Sequence, residues 1–431
     1  MTLSRRHALA ATLAAPLFDR GLAQTRIEAP RALDAKPGMT GPTLRLKKGE
    51  ELRLRLANSF AHSTALHFQG VRLANAMDGA VGLTQKAVEP GASFDYRFVP
   101  PDSGFFWYRA SAMPRAAEQR ARGLFGALVV EEPSPPDVDA DMTLVIDDWS
   151  GVDPAILEAP FLDPLLAAGA GRMGPGLFVN GGLAPLVTTQ RPGARLRLRL
   201  LNACNARLIA VAFDEGAPLV IAIDGQPCDP FTPLDATLPL APGARFDVLF
   251  NVARDASLRP RVMLLGEAKS QANRDLLVVT MNGEPGVERP EFAGLPANPL
   301  LPTQIRLQNA ARKDIEITGP FADDAQIWKL AGGAGAVGAR PLLSVKRGRP
   351  VSLGFVNKTP ILQTMHVHGH VMRLLHLLDD GWEPYWRDTA TILPGKTVRV
   401  AFVADNPGKW LIESAILDHA ATGAAAWFDV A

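Results

Sequence analysis

A run of alternating apolar and charged residues, opened by glycine and closed by asparagine, occurs three times in this chain. It runs from Gly49 to Asn58, Gly193 to Asn202 and Gly348 to Asn357, with glycine and asparagine nine residues apart in every copy. A second marker follows each: Pro90-Gly91 to Phe98, Pro242-Gly243 to Phe250 and Pro394-Gly395 to Phe402, with glycine and phenylalanine seven apart. Copies recur roughly every 150 residues, so the 431 residues divide into three units of one fold. Within a copy, Leu52, Leu54 and Leu56 alternate with Arg53 and Arg55, the period of a half-buried antiparallel strand. The 36 prolines and 38 glycines suit short strands joined by turns and disfavour helical arrays. The expected fold is all-β, three tandem Greek-key β-sandwiches over residues 24–135, 136–290 and 291–431. The boundaries fall near the Pro-rich stretch Glu131 to Asp137 and the Gly/Pro-rich stretch Gly283 to Pro302. A short helix is expected within Asp153 to Gly171.

Charge and cysteine content narrow the function classes. Lys+Arg of 45 against Asp+Glu of 44 leaves a net charge of +1, no field for binding nucleic acid or an anionic membrane. Two cysteines, Cys204 and Cys228, are too few for a disulfide framework, a zinc ribbon or an iron–sulfur cluster. They are read as either a disulfide formed after export or two buried thiols. Ser4-Arg5-Arg6-His7, the run Ala8 to Phe18 and Gly21-Leu22-Ala23 resemble a twin-arginine export signal over residues 1–23. A periplasmic protein with no transmembrane segment in the mature chain is expected.

The repeat also aligns possible chemistry. Nine residues past the marker asparagines stand His67, Val211 and His366, so the first and third units carry a histidine where the middle one does not. Two residues further are Gln69 and His368. Later in the same two units, Arg109 aligns with Glu413 and Ser111 with Ala415. Residues two apart on a strand share a face, so His366 and His368 can converge on one ion. Equivalent positions in units one and three point to a shared site between them. Arg109 and Glu413, a cation and an anion, are expected to pair there rather than be buried singly. His62, His370 and His376 have no repeat partners, and the methionines are scattered as core filling.

Four segments resemble the multicopper oxidase family: Leu66 to Arg72, Asn75 to Gly79 with Gly82 to Gln85, Met365 to His370, and Asn406 to Ile412. The resemblance implies cupredoxin-like domains, a blue copper in the third and a trinuclear copper cluster between the first and third, where dioxygen is reduced. The family's ten histidine ligands correspond here to His67, Gln69, Arg109, Ser111, Gln363, His366, His368, Glu413, Ala415 and His419. Ser414 stands where the blue-copper cysteine would be, and Ala424 where methionine is usual. The resemblance therefore leaves a candidate metal set of His67, His366, His368, Glu413 and His419, suited to one copper or zinc ion rather than four coppers. No catalytic residue is assigned. Three functions follow as expectations: a scaffold or interaction protein with an unknown periplasmic protein partner, similar in logic to copper-free exported members that serve bacterial cell division; a single-ion copper or zinc protein; and an atypical copper-dependent oxidoreductase.

Overall fold

Asn58, Asn202 and Asn357, which close the repeated strands, are all buried and serve one purpose. Each side-chain amide donates to two backbone carbonyls: Asn58 to His62 and Val88, Asn202 to Arg207 and Leu240, and Asn357 to Ile361 and Ile392, at 2.7–3.0 Å. Each side-chain oxygen accepts from the amide two residues on, in Phe60, Cys204 and Thr359. The asparagine thus satisfies three backbone groups where the chain leaves one sheet for the other. The second marker lies opposite the first in a common register: Leu52 faces Phe98, Leu196 faces Phe250 and Val351 faces Phe402. Both spacings are consequences of this one strand pair. Asn202→Ala is expected to cost about 2–4 kcal/mol, because three buried backbone groups lose their partners. Urea unfolding should show a lowered midpoint at an unchanged m-value.

The computed structural model describes residues 25–29, 40–149, 161, 163–266, 271–322, 326–332, 340–376 and 381–431, the first of these segments by its backbone alone. The expected signal at 1–23 lies outside the described residues. Three pairs of sheets follow one another along the chain, of three and four strands, seven and five, and five and five. The fold is all-β, three β-sandwiches in tandem. Every sheet contains one parallel pair among antiparallel ones, such as Leu44–Lys47 beside Phe125–Glu131 in the first unit and Ala311–Thr318 beside Arg349–Asn357 in the third. A parallel pair needs a crossover, which here passes through the facing sheet, as Greek-key wiring requires.

The strand Leu52–Asn58 shows the expected alternation, with Leu52, Leu54 and Leu56 inward. The middle copy, Arg195–Asn202, differs in being buried on both faces. Glu132 from the inter-unit segment and the strand Ala140–Trp149 close over its charged side. Arg197 there pairs with Glu132 at 2.6 Å and Asp247 at 2.5 Å, and Arg199 with Asp141 at 2.8 Å. One apolar core runs continuously through the first and third units, while the middle unit has its own. Phe105, Trp107 and Val129 pack on Val145 and Leu201 to join the first unit to the middle one.

Short helices interrupt the strands at Ala116–Ala121, Pro164–Ala168 and Leu417–Ala421. The second lies inside the interval expected to hold a helix; residues 153–160 and 162 of that interval are outside the described residues. Asp163 caps it by accepting from the Leu165 amide at 2.8 Å. Cys204 and Cys228 are two separate buried thiols. Among the described residues no helix is long and apolar enough to cross a membrane.

Candidate metal centre between the first and third units

Two equivalent strand pairs build the site. His67 on Leu66–Gln69 lies opposite Arg109 on Gly104–Ala110, and His366 on Gln363–Val367 lies opposite Glu413 on Gly408–Ser414. The pseudosymmetry read from the repeat brings these pairs face to face. His67, His366 and His368 are fully buried, and one nitrogen from each lies within 4.8 Å of the others. His67 and His368 stack with ring centroids 3.7 Å apart.

Hydrogen-bond partners assign the imidazole protons. His67 Nδ1 meets only acceptors, the Asp78 carbonyl at 3.0 Å and its carboxylate at 3.2 Å. His366 Nδ1 likewise donates to the Asp388 carbonyl at 2.8 Å. Both Nε2 atoms are therefore bare lone pairs, and they face each other at 3.0 Å. His368 differs, because its Nδ1 faces the Asp78 carboxylate at 3.0 Å and its Nε2 faces Glu413 at 3.2 Å, so both nitrogens donate. Burial opposes its positive charge, but Asp78 and Glu413 prevail and raise its pKa to about 9. Burial, reinforced by the His368 charge, pushes His67 down to about 3, and burial also lowers His366. The centre thus holds one imidazolium and two neutral imidazoles at neutral pH.

Arg109 and Glu413 form the ion pair expected from their alignment, at 2.6 Å and almost without solvent contact. Arg109 Nε also donates to Gln69 Oε1 at 3.2 Å. Burial acts against the Glu413 carboxylate, yet Arg109 and His368 hold its pKa well below the usual carboxylate range. Asp78, between His67 and His368, is held down in the same way.

The other aligned positions face elsewhere. Ser111 donates to the Gly79 carbonyl at 2.8 Å. Gln363 donates weakly to Thr359 at 3.4 Å, and Ser414 Oγ accepts from the Ile416 amide at 3.2 Å. His419 does not join the histidine cluster: its Nε2 donates to the Gly169 carbonyl at 2.9 Å and its ring lies 4.8 Å from Trp328. Burial lowers its pKa to about 4. Among the described residues, its Nδ1 and Gln363 Oε1 are buried without partners. His370 packs among Phe402, Trp410 and Phe428 as a core residue.

Alignment of units one and three could not find the residues contributed by the middle unit. Arg245, fully buried, donates to the Phe105 carbonyl of the first unit at 3.0 Å, to the Gly243 carbonyl at 2.8 Å, and to the Asp388 carboxylate of the third. Asp224 accepts from the amides of Arg245 and Asp388, binding the same corner at 3.0 and 3.2 Å. Since Asp388 supplies the carbonyl that orients His366, all three units hold this ring. The available signal was an arginine two residues past Gly243, where the other copies have Ser93 and Thr397.

A sequence profile of the multicopper oxidases matches residues 35–135 and a second one matches residues 297–431. The chain belongs to the multicopper oxidase family. Multicopper oxidase MmcO of Mycobacterium tuberculosis is 28% identical over 422 residues, covering 90% of this chain and 81% of that protein. The crystal structure of a multicopper oxidase from Pseudomonas thermotolerans superposes with a TM-score of 0.80 at 29% identity, covering 95% of this chain and all of the other. Another, from Pseudomonas parafulva, gives 0.80 at 28% with the same coverage. These family likenesses span all three sandwiches, including the middle one that neither profile reaches.

Proposed function

We propose that this chain is a multicopper-oxidase-family protein that has given up dioxygen reduction and works as an exported scaffold or interaction protein. The observation carrying this reading is the Arg109–Glu413 pair, buried at 2.6 Å where the family's copper ligands align. A permanently charged guanidinium is no metal ligand and repels a cation placed beside it. The donor set does not fit four coppers. Ser414 offers a hydroxyl where a blue copper takes its thiolate, and that hydroxyl already accepts from Ile416. Without that centre no electron entry of the family's kind exists. Export is supported by the signal-like residues 1–23, and the partner is a periplasmic protein.

A second reading, retention of a single ion, is favoured by a different observation. Two imidazole lone pairs facing at 3.0 Å repel unless a proton or metal lies between them, and both rings resist protonation. Opening the pair to about 3.3 Å would admit a tetrahedral ion at ordinary metal–nitrogen distances. His67 and His366 would hold one copper or zinc, with Asp78 and Asp388 fixing the ring orientations as outer partners. Such an ion would supply Lewis-acid or structural binding.

Elemental analysis, a visible spectrum and an oxidase assay on copper-exposed protein test both readings. The expected result is no blue band, no dioxygen-dependent turnover and at most one ion at this junction, lost in His67→Ala/His366→Ala. Several coppers with turnover would overturn the scaffold reading. Zero metal at the junction in the unmodified chain would remove the single-ion reading alone.

A further inference from the structure

A second cluster of potential ligands lies away from the histidines, in the middle unit. Asp147 and Asp148 end the strand Ala140–Trp149, and Cys204 follows the strand Arg195–Asn202 that pairs beside it. All three are buried, and one ligand atom from each lies within 4.8 Å of the others. Two carboxylates and a thiol on paired strands are not by themselves a site. The polar atoms around them supply the further observation.

Asp148 Oδ2 is fully engaged, accepting from the Gly174 amide at 2.8 Å and from Arg207 at 3.1 Å, whereas its Oδ1 is buried with no partner among the described residues. Arg120, from the first unit's helix Ala116–Ala121, donates to the Ala203 carbonyl, and its buried Nε likewise has no partner among the described residues. Its charge is nevertheless close enough to act on Asp147, Asp148 and Cys204. A carboxylate oxygen left bare beside a thiol and a second carboxylate is costly unless something occupies the space between them.

We propose that Asp147, Asp148 and Cys204 form a metal site for a thiophilic divalent cation of the zinc class, separate from the histidine cluster. One sulfur and two carboxylate oxygens make a three-ligand set whose fourth position is open to water. Ligand atoms around such an ion sit roughly 3.3–3.8 Å apart, so the cluster contracts by about 1 Å on binding. On binding, the Cys204 S–H bond breaks, a metal–sulfur bond forms and the proton leaves to solvent. No electrons are transferred. Two carboxylates and a thiolate around a divalent ion leave one net negative charge, and that anionic cluster lies beside the guanidiniums of Arg120 and of Arg207, which already pairs with Asp148.

The test is titration of chelator-stripped, full-length protein with Co(II), reading the thiolate-to-metal charge-transfer absorption. The expected result is one such band at saturation, abolished by Cys204→Ser, retained in Cys228→Ser, and needing at least tenfold more Co(II) in Asp147→Asn. His67→Ala/His366→Ala should leave the band in place, which separates this site from the histidine cluster. Because the unmodified chain is itself the decisive sample, a misfolded variant does not rescue the idea. No thiolate band at saturating Co(II), or a band lost with Cys228 and kept without Cys204, would overturn it.

Discussion

Replacing Arg109 with alanine is expected to destabilise the protein by about 3–5 kcal/mol, the usual result of removing one member of a buried ion pair. Glu413 would keep only His368, at 3.2 Å, as a charged partner, and Gln69 would lose the donor to its side-chain oxygen. The cost comes from the stranded carboxylate rather than from the intrinsic worth of the pair. Arg109→Met/Glu413→Leu should therefore recover most of the loss, because both charges leave together and the cavity stays filled. Chemical unfolding of the two variants at pH 7 measures this. A single variant within 1 kcal/mol of the unmodified protein would mean that solvent reaches Glu413 and that the junction is not sealed.

In metal-free protein, stability is expected to peak near pH 6.5 and fall on both sides. The alkaline side belongs to His368. Its folded pKa of about 9 lies above the ordinary 6.5, so its contribution is complete below 6.5 and lost as pH rises through 9. That shift corresponds to about 3 kcal/mol, to order of magnitude. The acid side belongs to His67, His370 and His419, lowered to about 3, 4 and 4 by burial. They stay neutral when folded, while the unfolded chain takes up protons below 6.5, so each costs about 2 kcal/mol by pH 5. Asp147 and Asp224, raised by burial to about 7 and 6, act in the opposite sense over this window and reduce the acid loss. Below pH 4.5, Glu413 and Asp78, whose folded pKa values are depressed, lose their contribution too. Thermal melts from pH 5 to 9 in a chelator give the profile. An alkaline arm that survives His368→Gln undiminished would assign it to other groups.

The architecture was legible because its markers answer to backbone requirements that repeat. Gly49, Gly193 and Gly348 turn with φ of +72 to +88°, and the three asparagines satisfy the same three backbone groups each time. The Arg109–Glu413 pair was legible for the same reason, since alignment of two copies placed opposite charges at one position. Proton placement was not, because the lone-pair opposition of His67 and His366 depends on which atoms of Asp78 and Asp388 meet the rings. The burial of Arg197 and Arg199 was equally hidden: the local pattern matches the exposed copy around Arg55, where Asp95 faces the arginine as Asp247 does here, and the difference comes from Glu132 and Asp141 outside the repeated strand pair. Arg245 escaped because its partners come from three units, and a repeat shows what units share rather than what one lends another.

That loan also bears on how far the molecule is modular. Three copies of one sandwich look like pieces that could be cut apart and expressed singly. Yet a third-unit fragment would lack the guanidinium that neutralises Asp388, a carboxylate fully buried in the intact chain. A first-unit fragment would likewise leave the Phe105 carbonyl without its Arg245 donor. Arg245 thus ties the three sandwiches into one unit, independently of whether an ion is held between the first and the third.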